Sequence, residues 1–202
     1  MAYAQAKTLD QNIIPVIDIS PLRDGTNPKA VARELHAASQ GLGFIYIKGH
    51  GIPEAVIKSA RANALEFFAL PEATKSAVKV SEKHRGWLGQ GGAKMKDGAK
   101  ADLKESFIWG HQDADGKTLE DHPLRGANQW PDHLPTMQAQ AMAYFNHAHD
   151  VAHHLMRGFA LGLDLEPDFF LKSASRPMSR ASYVYYPAQP SDMGEGQFGV
   201  GP

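Results

Sequence analysis

The feature that most restricts the fold is a long amphipathic segment in the second half of the chain. Between Pro135 and Leu161, the residues Met137, Ala141, Tyr144, Phe145, Ala148, Ala152, Leu155, Met156 and Phe159 fall on one face at about 100° per residue. A helix of that length with one apolar stripe must bury the stripe against another layer. Pro135 suits its first turn and Gly162 its end. The expected partner is a β-sheet that includes Ser182 to Tyr186, an aromatic and β-branched run closed by Pro187.

Upstream, the chain alternates between short strands and helices. Ile14 to Ile19 is β-branched and reads as a strand. Asn27-Pro28 caps a helix carrying Val31, Leu35 and Ala38, and Gly41-Leu42-Gly43 stops it. Phe44 to Ile47 is apolar throughout, which predicts a buried strand. His50-Gly51 turns the chain. Pro53 opens a helix whose inner stripe is Val56, Ile57, Ala60, Ala64, Phe67 and Phe68, and Leu70-Pro71 restarts a shorter one. Glu82 to Lys100 is rich in Gly and Lys and reads as a long loop of the kind that lines binding sites. Phe107 to Trp109 is a further strand, and Asp113 to Gly126 and Ala188 to Pro202 are loops. This order leaves α/β and α+β both open.

Ten histidines invite a metal hypothesis. Among the four in the long segment, His149 and His153 are spaced i, i+4 as two ligands would be. His147, His153 and His154 lie away from the apolar stripe and His149 sits at its edge, so a solvated face accounts for all four. His111-Gln112-Asp113 has the spacing of a His-x-carboxylate pair, but Gly110 before it and Asp115-Gly116 after it read as a turn. Gly89-Gln90-Gly91-Gly92 lacks the Lys-Ser/Thr of a phosphate loop. No catalytic or metal-binding residue is therefore assigned from the residues alone.

The charge balance, 21 basic against 22 acidic residues, gives no sign of a nucleic-acid or membrane-surface partner. Cysteine is absent, which excludes disulfides and thiolate chemistry. Without an apolar leader at Met1 to Asn12 or a run of spanning length, the expectation is a soluble cytoplasmic protein.

Several stretches, in order, resemble one family. Ile14-Pro15-Val16-Ile17-Asp18-Ile19 resembles its opening strand, and Gly43-Phe44-Ile45-Tyr46-Ile47 with His50-Gly51-Ile52-Pro53 its most recognisable strand and turn. Phe67-Phe68-Ala69-Leu70-Pro71 with Lys75, Arg85-Gly86-Trp87, Asp102-Leu103-Lys104-Glu105-Ser106-Phe107, Asn128-Gln129-Trp130-Pro131, and Tyr185-Tyr186-Pro187 with Pro190 follow. The family is that of the isopenicillin N synthase-like oxygenases that use iron(II) and 2-oxoglutarate.

The resemblance implies an α+β fold, with a helical N-terminal region buttressing a double-stranded β-helix, or jelly roll, of which only the first strands are present. It implies residues 1–178 as the N-terminal region, with the long helix at about 135–161, and residues 179–202 as the truncated start of the jelly roll. It also implies a small-molecule substrate, molecular oxygen, and iron(II) and 2-oxoglutarate as cofactors, for hydroxylation, desaturation or ring closure. Tyr186 carries over as a contact to a cosubstrate or substrate carboxylate, with core packing beside Pro187 as the alternative. Arg85, Trp87, Glu105 and Phe107 sit where the family lines its substrate mouth, with ordinary packing as the alternative for each. The family's His-x-Asp iron ligands follow a loop like Ala188 to Pro202, so the native polypeptide is expected to continue past Pro202, and residues 1–202 alone are expected to be inactive. A non-catalytic binding or scaffold module derived from the family is the competing reading.

Overall fold

The structure, a computed structural model, describes residues 13–92, 103–112 and 122–188. The expectations for Met1 to Asn12, for Asp102, for Asp113 and most of the loop after it, and for the chain beyond Ala188 lie outside the described residues. The chain divides into two compact units, Met1–Ile52 with His147–Arg176, and Pro53–Asn146 with Pro177–Pro202.

The first unit holds β1 (Val16–Asp18), α1 (Ser20–Arg23), α2 (Pro28–Gln40) and β2 (Tyr46–Lys48). The strands pair in parallel, Val16 opposite Tyr46 and Asp18 opposite Lys48. Asn27 caps α2 by accepting from the Ala30 amide, and Pro28 opens it, as the sequence predicts. Ile17, Ile19, Leu22, Val31, Leu35 and Val151 form the core. The predicted burial of Phe44 to Ile47 fails: Phe44 is 69% and Tyr46 60% exposed, while Ile45 and Ile47 join the core. Period-two alternation sends every second side chain of this stretch outward, apolar or not.

The second unit holds α3 (Glu54–Ala69), α4 (Glu72–Ser76) and a three-stranded antiparallel sheet of β3 (Gly86–Leu88), β4 (Glu105–Gly110) and, late in the chain, β5 (Arg180–Tyr185). β3 lies inside the stretch read as a loop from its glycines and lysines. Backbone hydrogen bonds from Val80 to the Trp87 carbonyl and from Trp87 to the Val78 carbonyl, both 2.7 Å, fasten its outer edge. Three residues are too few to show periodicity, so pairing alone makes them a strand. In α3, Ala60, Phe67 and Phe68 are buried as expected, whereas Ile57 is exposed and polar Asn63 takes an inner position by donating to Gln140. One face of the sheet, α3 and the early turns of the long helix enclose Phe67, Phe68, Trp87, Phe107, Trp109, Met137, Ala141 and Phe145.

That long helix, α5 (Met137–Gly162), is the one the sequence predicts. Its stripe does not serve a single sheet, however. Met137, Ala141 and Phe145 belong to the core of the second unit, with the strand residues Phe107, Trp109, Tyr183 and Tyr185. Phe159 and Leu155 instead pack in the core of the first unit beside Ile17 and Leu35. Ala152 and Met156 are exposed, and Val151 is buried. Two glycines account for the change. A Cβ at Gly158 would come within 2.7 Å of Leu35, and one at Gly162 within 2.9 Å of the Ala32 carbonyl oxygen. Part of the contact with α2 is thus made by residues without side chains, which a search for apolar residues passes over.

Among the described residues no helix is long and apolar enough to cross a membrane.

Phe107 is fully buried and its ring lies 4.7 Å from Phe67 and 5.7 Å from Trp130, centroid to centroid. Phe107→Ala is expected to lower stability by about 3–5 kcal/mol, read as a fall in urea midpoint at unchanged slope. A loss below about 1 kcal/mol would show that the cluster rearranges around the gap.

Candidate functional site

The register of the sheet sorts its side chains into two sets. Trp87 opposes Phe107, Phe107 opposes Tyr183, Trp109 opposes Ala181 and Glu105 opposes Tyr185. Directly paired residues share a face, and all of these lie on or beside the buried aromatic core. The alternate set is Leu88, Ser106, Ile108, Gly110, Arg180, Ser182 and Val184. In β5 this set is exposed at every position, and Tyr186 continues the alternation one residue past the strand, 43% exposed. The sheet therefore has a covered face and a face whose β5 rim is open to solvent.

Tyr186 stands on the open side, 43% exposed. Its neighbour Tyr185 is the inward one, stacked on Phe68 at 5.1 Å between centroids. The structure places Arg85, Trp87, Glu105 and Phe107 in the interior. It brings three of them together on the covered face: Trp87 and Phe107 are register partners, and Trp87 Nε1 donates to Glu105 Oε2 at 2.8 Å. Lys75, which the sequence offered only as part of a motif, completes the cluster. Its Nζ donates to the same Glu105 oxygen at 2.6 Å and to the Phe68 carbonyl at 3.2 Å, and it lies 5.4 Å from the Trp87 ring centroid. Arg85 is set apart, donating to the carbonyls of Lys83, His84 and Leu124. Asn128 seals the far end of β4, accepting from the Gly110 amide at 2.8 Å and donating to its carbonyl at 3.0 Å.

His111 does not sit in a turn. Its amide donates to the Ser179 carbonyl at 2.9 Å, which extends the β4–β5 ladder by one rung, while Asp113 lies outside the described residues. His149 and His153 face each other along α5, with ring centroids 4.4 Å apart and planes tilted by 58°. Among the described residues no three His, Asp or Glu side chains converge as metal ligands would.

Arg180, Ser182, Val184, Ile108 and Leu88 were missed by the sequence analysis. The signal was the alternation across Arg180 to Tyr185, which becomes informative only once the register with β4 is known.

Residues 14–133 match the family model described as the N-terminal region of non-haem dioxygenases in morphine synthesis. Validamycin A dioxygenase of Streptomyces hygroscopicus subsp. limoneus is 30% identical over 198 residues, covering 94% of this chain and 54% of that protein. A homoarginine-6-hydroxylase of Glycine max is 32% identical over 181 residues, covering 80% of this chain and 52% of that protein. The chain thus spans about half the length of the curated relatives it matches. Among solved structures, a 2OG-Fe(II) oxygenase family protein of Caulobacter crescentus superposes with a TM-score of 0.78 at 25% identity, over 89% of this chain and 58% of that one. A full-length Neurospora crassa protein in complex with alpha-KG gives 0.77 at 25% identity, over 96% and 62%. These likenesses support the α+β fold, with helices beside the first strands of a jelly roll.

Two measurements test the covered face. Breaking a buried ion pair on one side strands the other charge, so Lys75→Met is expected to cost about 3–5 kcal/mol, with much of the loss recovered in Lys75→Met/Glu105→Leu. Equal losses in the single and double variants would show that packing, and not the charge pair, is what Lys75 contributes. Burial first, and then the neighbouring Tyr144, push the Tyr183 hydroxyl up to about 12. Between its ordinary value near 10 and about 12, the unfolded chain releases this proton while the folded chain keeps it. Stability should therefore fall with rising pH across that window, and Tyr183→Phe should flatten the fall in denaturation curves taken there.

Proposed function

The chain belongs to the family of non-haem, 2-oxoglutarate/Fe(II)-dependent oxygenases, and from that premise we propose that it serves in an oxygenase acting on a small organic molecule, with iron(II), 2-oxoglutarate and molecular oxygen as cofactor and cosubstrates. The observation that carries this reading is the two-faced sheet. One face is sealed by aromatic packing, and the other presents its β5 rim and Tyr186 to solvent. The named substrates of the relatives, validamycin A and homoarginine, differ from each other. What they share is the small-molecule class.

The described residues do not themselves fit an iron site, because no three ligand side chains converge. When bound, iron(II) in such a family supplies oxygen activation. The role proposed for this chain's own residues is to bind and orient. Tyr186 donates its phenolic hydrogen to a carboxylate of 2-oxoglutarate or of the substrate. Arg85, Trp87, Glu105 and Phe107 serve the substrate side by fixing β3 and β4, the strands that carry Leu88, Ser106 and Ile108 on the opposite face. Residues 179–202 are proposed as the start of the jelly roll, and residues 1–178 as the region that buttresses it. The lack of a converging ligand set among the described residues keeps a second reading in play, that of a non-catalytic module derived from the family.

The deciding experiment is oxygen consumption and succinate release by the native protein supplied with iron(II) and 2-oxoglutarate. Turnover that depends on both supports the oxygenase, and binding without succinate release supports the module. In that protein Tyr186→Phe is expected to weaken apparent affinity for 2-oxoglutarate or substrate about ten- to a hundredfold, as loss of a charge-assisted hydrogen bond would. Its exposure means that thermal stability should hardly change. Unaltered kinetics would remove Tyr186 from the site.

A further inference from the structure

Arg85 is a buried cation without an anion among the described residues. It is 1% exposed, and its guanidinium is held by three backbone carbonyls. No carboxylate accepts from it among the described residues, and its Nε is buried with no partner. Lys75, by contrast, has the Glu105 carboxylate at 2.6 Å. Carbonyl dipoles solvate a guanidinium only in part, and a desolvated charge lacking a counter-ion is unfavourable.

The geometry at Gly110 shows where that charge is directed. A Cβ on Gly110 would lie 2.6 Å from Arg85 Cζ and 2.8 Å from Nε, so the guanidinium fills the space that a side chain at this position would take. The register partner of Gly110 is Arg180, which is exposed. Cβ positions of such partners lie about 4.5–5.5 Å apart on one face, so Arg180 rises beside the Arg85 guanidinium on the open side of the sheet. The like charges oppose each other. Burial first, and then Arg180, hold the Arg85 guanidinium below the ordinary arginine value.

We propose that Arg85 and Arg180 form a carboxylate-binding subsite at the Gly110 end of the open sheet face, where Arg180 makes the direct contact, Arg85 supplies charge from behind it, and the molecule recognised is an organic acid. A planar guanidinium fork matches a carboxylate in shape and charge, and a ligand there would neutralise two cations that the described residues leave unbalanced. Arg180 and Tyr186 are six residues apart, about 20 Å along an extended strand. One small dicarboxylate cannot span that distance, so a 2-oxoglutarate held by Tyr186 is not the acid bound at the arginine pair. The inference rests on the oxygenase reading for its identification of that acid as the substrate.

The test is titration of the 202-residue chain, with its arginine Nε–Hε signals followed by NMR, using sodium propionate and separately 2-oxoglutarate, against sodium chloride at matched ionic strength. Saturable shifts of Arg180 and Arg85 with propionate are expected. Arg180→Gln should weaken the half-saturation about tenfold or more, and Arg180→Lys less, because it keeps the charge and loses the fork. Tyr186→Phe should leave the propionate response as it was. Four results would each overturn the proposal. These are shifts reproduced by chloride, no saturation with either acid, an unchanged response in Arg180→Gln, and a response to 2-oxoglutarate alone that Tyr186→Phe abolishes, which would assign the pair to the cosubstrate. The titration needs no turnover, so its failure leaves the oxygenase reading standing, and an inactive protein that still titrates leaves the subsite standing.

Discussion

The second unit depends on β4 being paired along both edges and buried on one face. Six residues, Glu105 to Gly110, hydrogen-bond β3 on one side and β5 on the other. Their inward side chains, Glu105, Phe107 and Trp109, meet α3, α5 and each other. A central strand of this kind has no freedom of register, because a slip by one residue would turn Phe107 and Trp109 outward and expose two of the largest buried side chains. The sheet's open face is therefore set by what the covered face must bury. Arg180, Ser182 and Val184 point outward because Ala181, Tyr183 and Tyr185 cannot.

Among the described residues two cations, Lys75 and Arg85, lie inside the fold, and they are treated differently. Lys75 is neutralised by Glu105, and the same carboxylate oxygen also receives the Trp87 indole hydrogen. One buried acid thus ties α4, β3 and β4 together. Such pairs add little net stability over an apolar replacement, but they penalise any packing that separates them. Among the described residues Arg85 has no such acid, only carbonyls, and another arginine lies across the ladder from the glycine over which it folds. Within one small sheet, one charge serves the fold and the other is left for a ligand.

Much of this fold was legible from local pattern. The Asn27 cap, the Phe67-Phe68 pair and the extent of α5 follow from spacing and capping chemistry, which act within a few residues. The elements misread were those whose state depends on distant partners. β3 is three residues in a stretch rich in glycine and lysine, and only β4 and the Val78 to Ser81 segment make it a strand. Phe44 and Tyr46 are apolar and yet exposed, because strand alternation overrides composition. The proposed site has one locally marked residue. Tyr186 stood out through its Tyr-Tyr-Pro setting, whereas Arg180 carries no local mark.

The sequence by itself determined the long helix, the capped α2, the motif order that marks the family, and the absence of cysteine. Each of these is a matter of residue identity and short-range spacing. The tertiary structure alone decided which face of the sheet is covered, that the stripe of α5 is divided between two cores, that Glu105 answers Lys75, and that the Arg85 guanidinium takes the side-chain space of Gly110, the register partner of Arg180. These are pairings between residues far apart in sequence, such as Lys75 with Glu105, Gly110 with Arg180 and Gly158 with Leu35. No local propensity encodes them, because they exist only once the strands are in register and the helices have closed over one side.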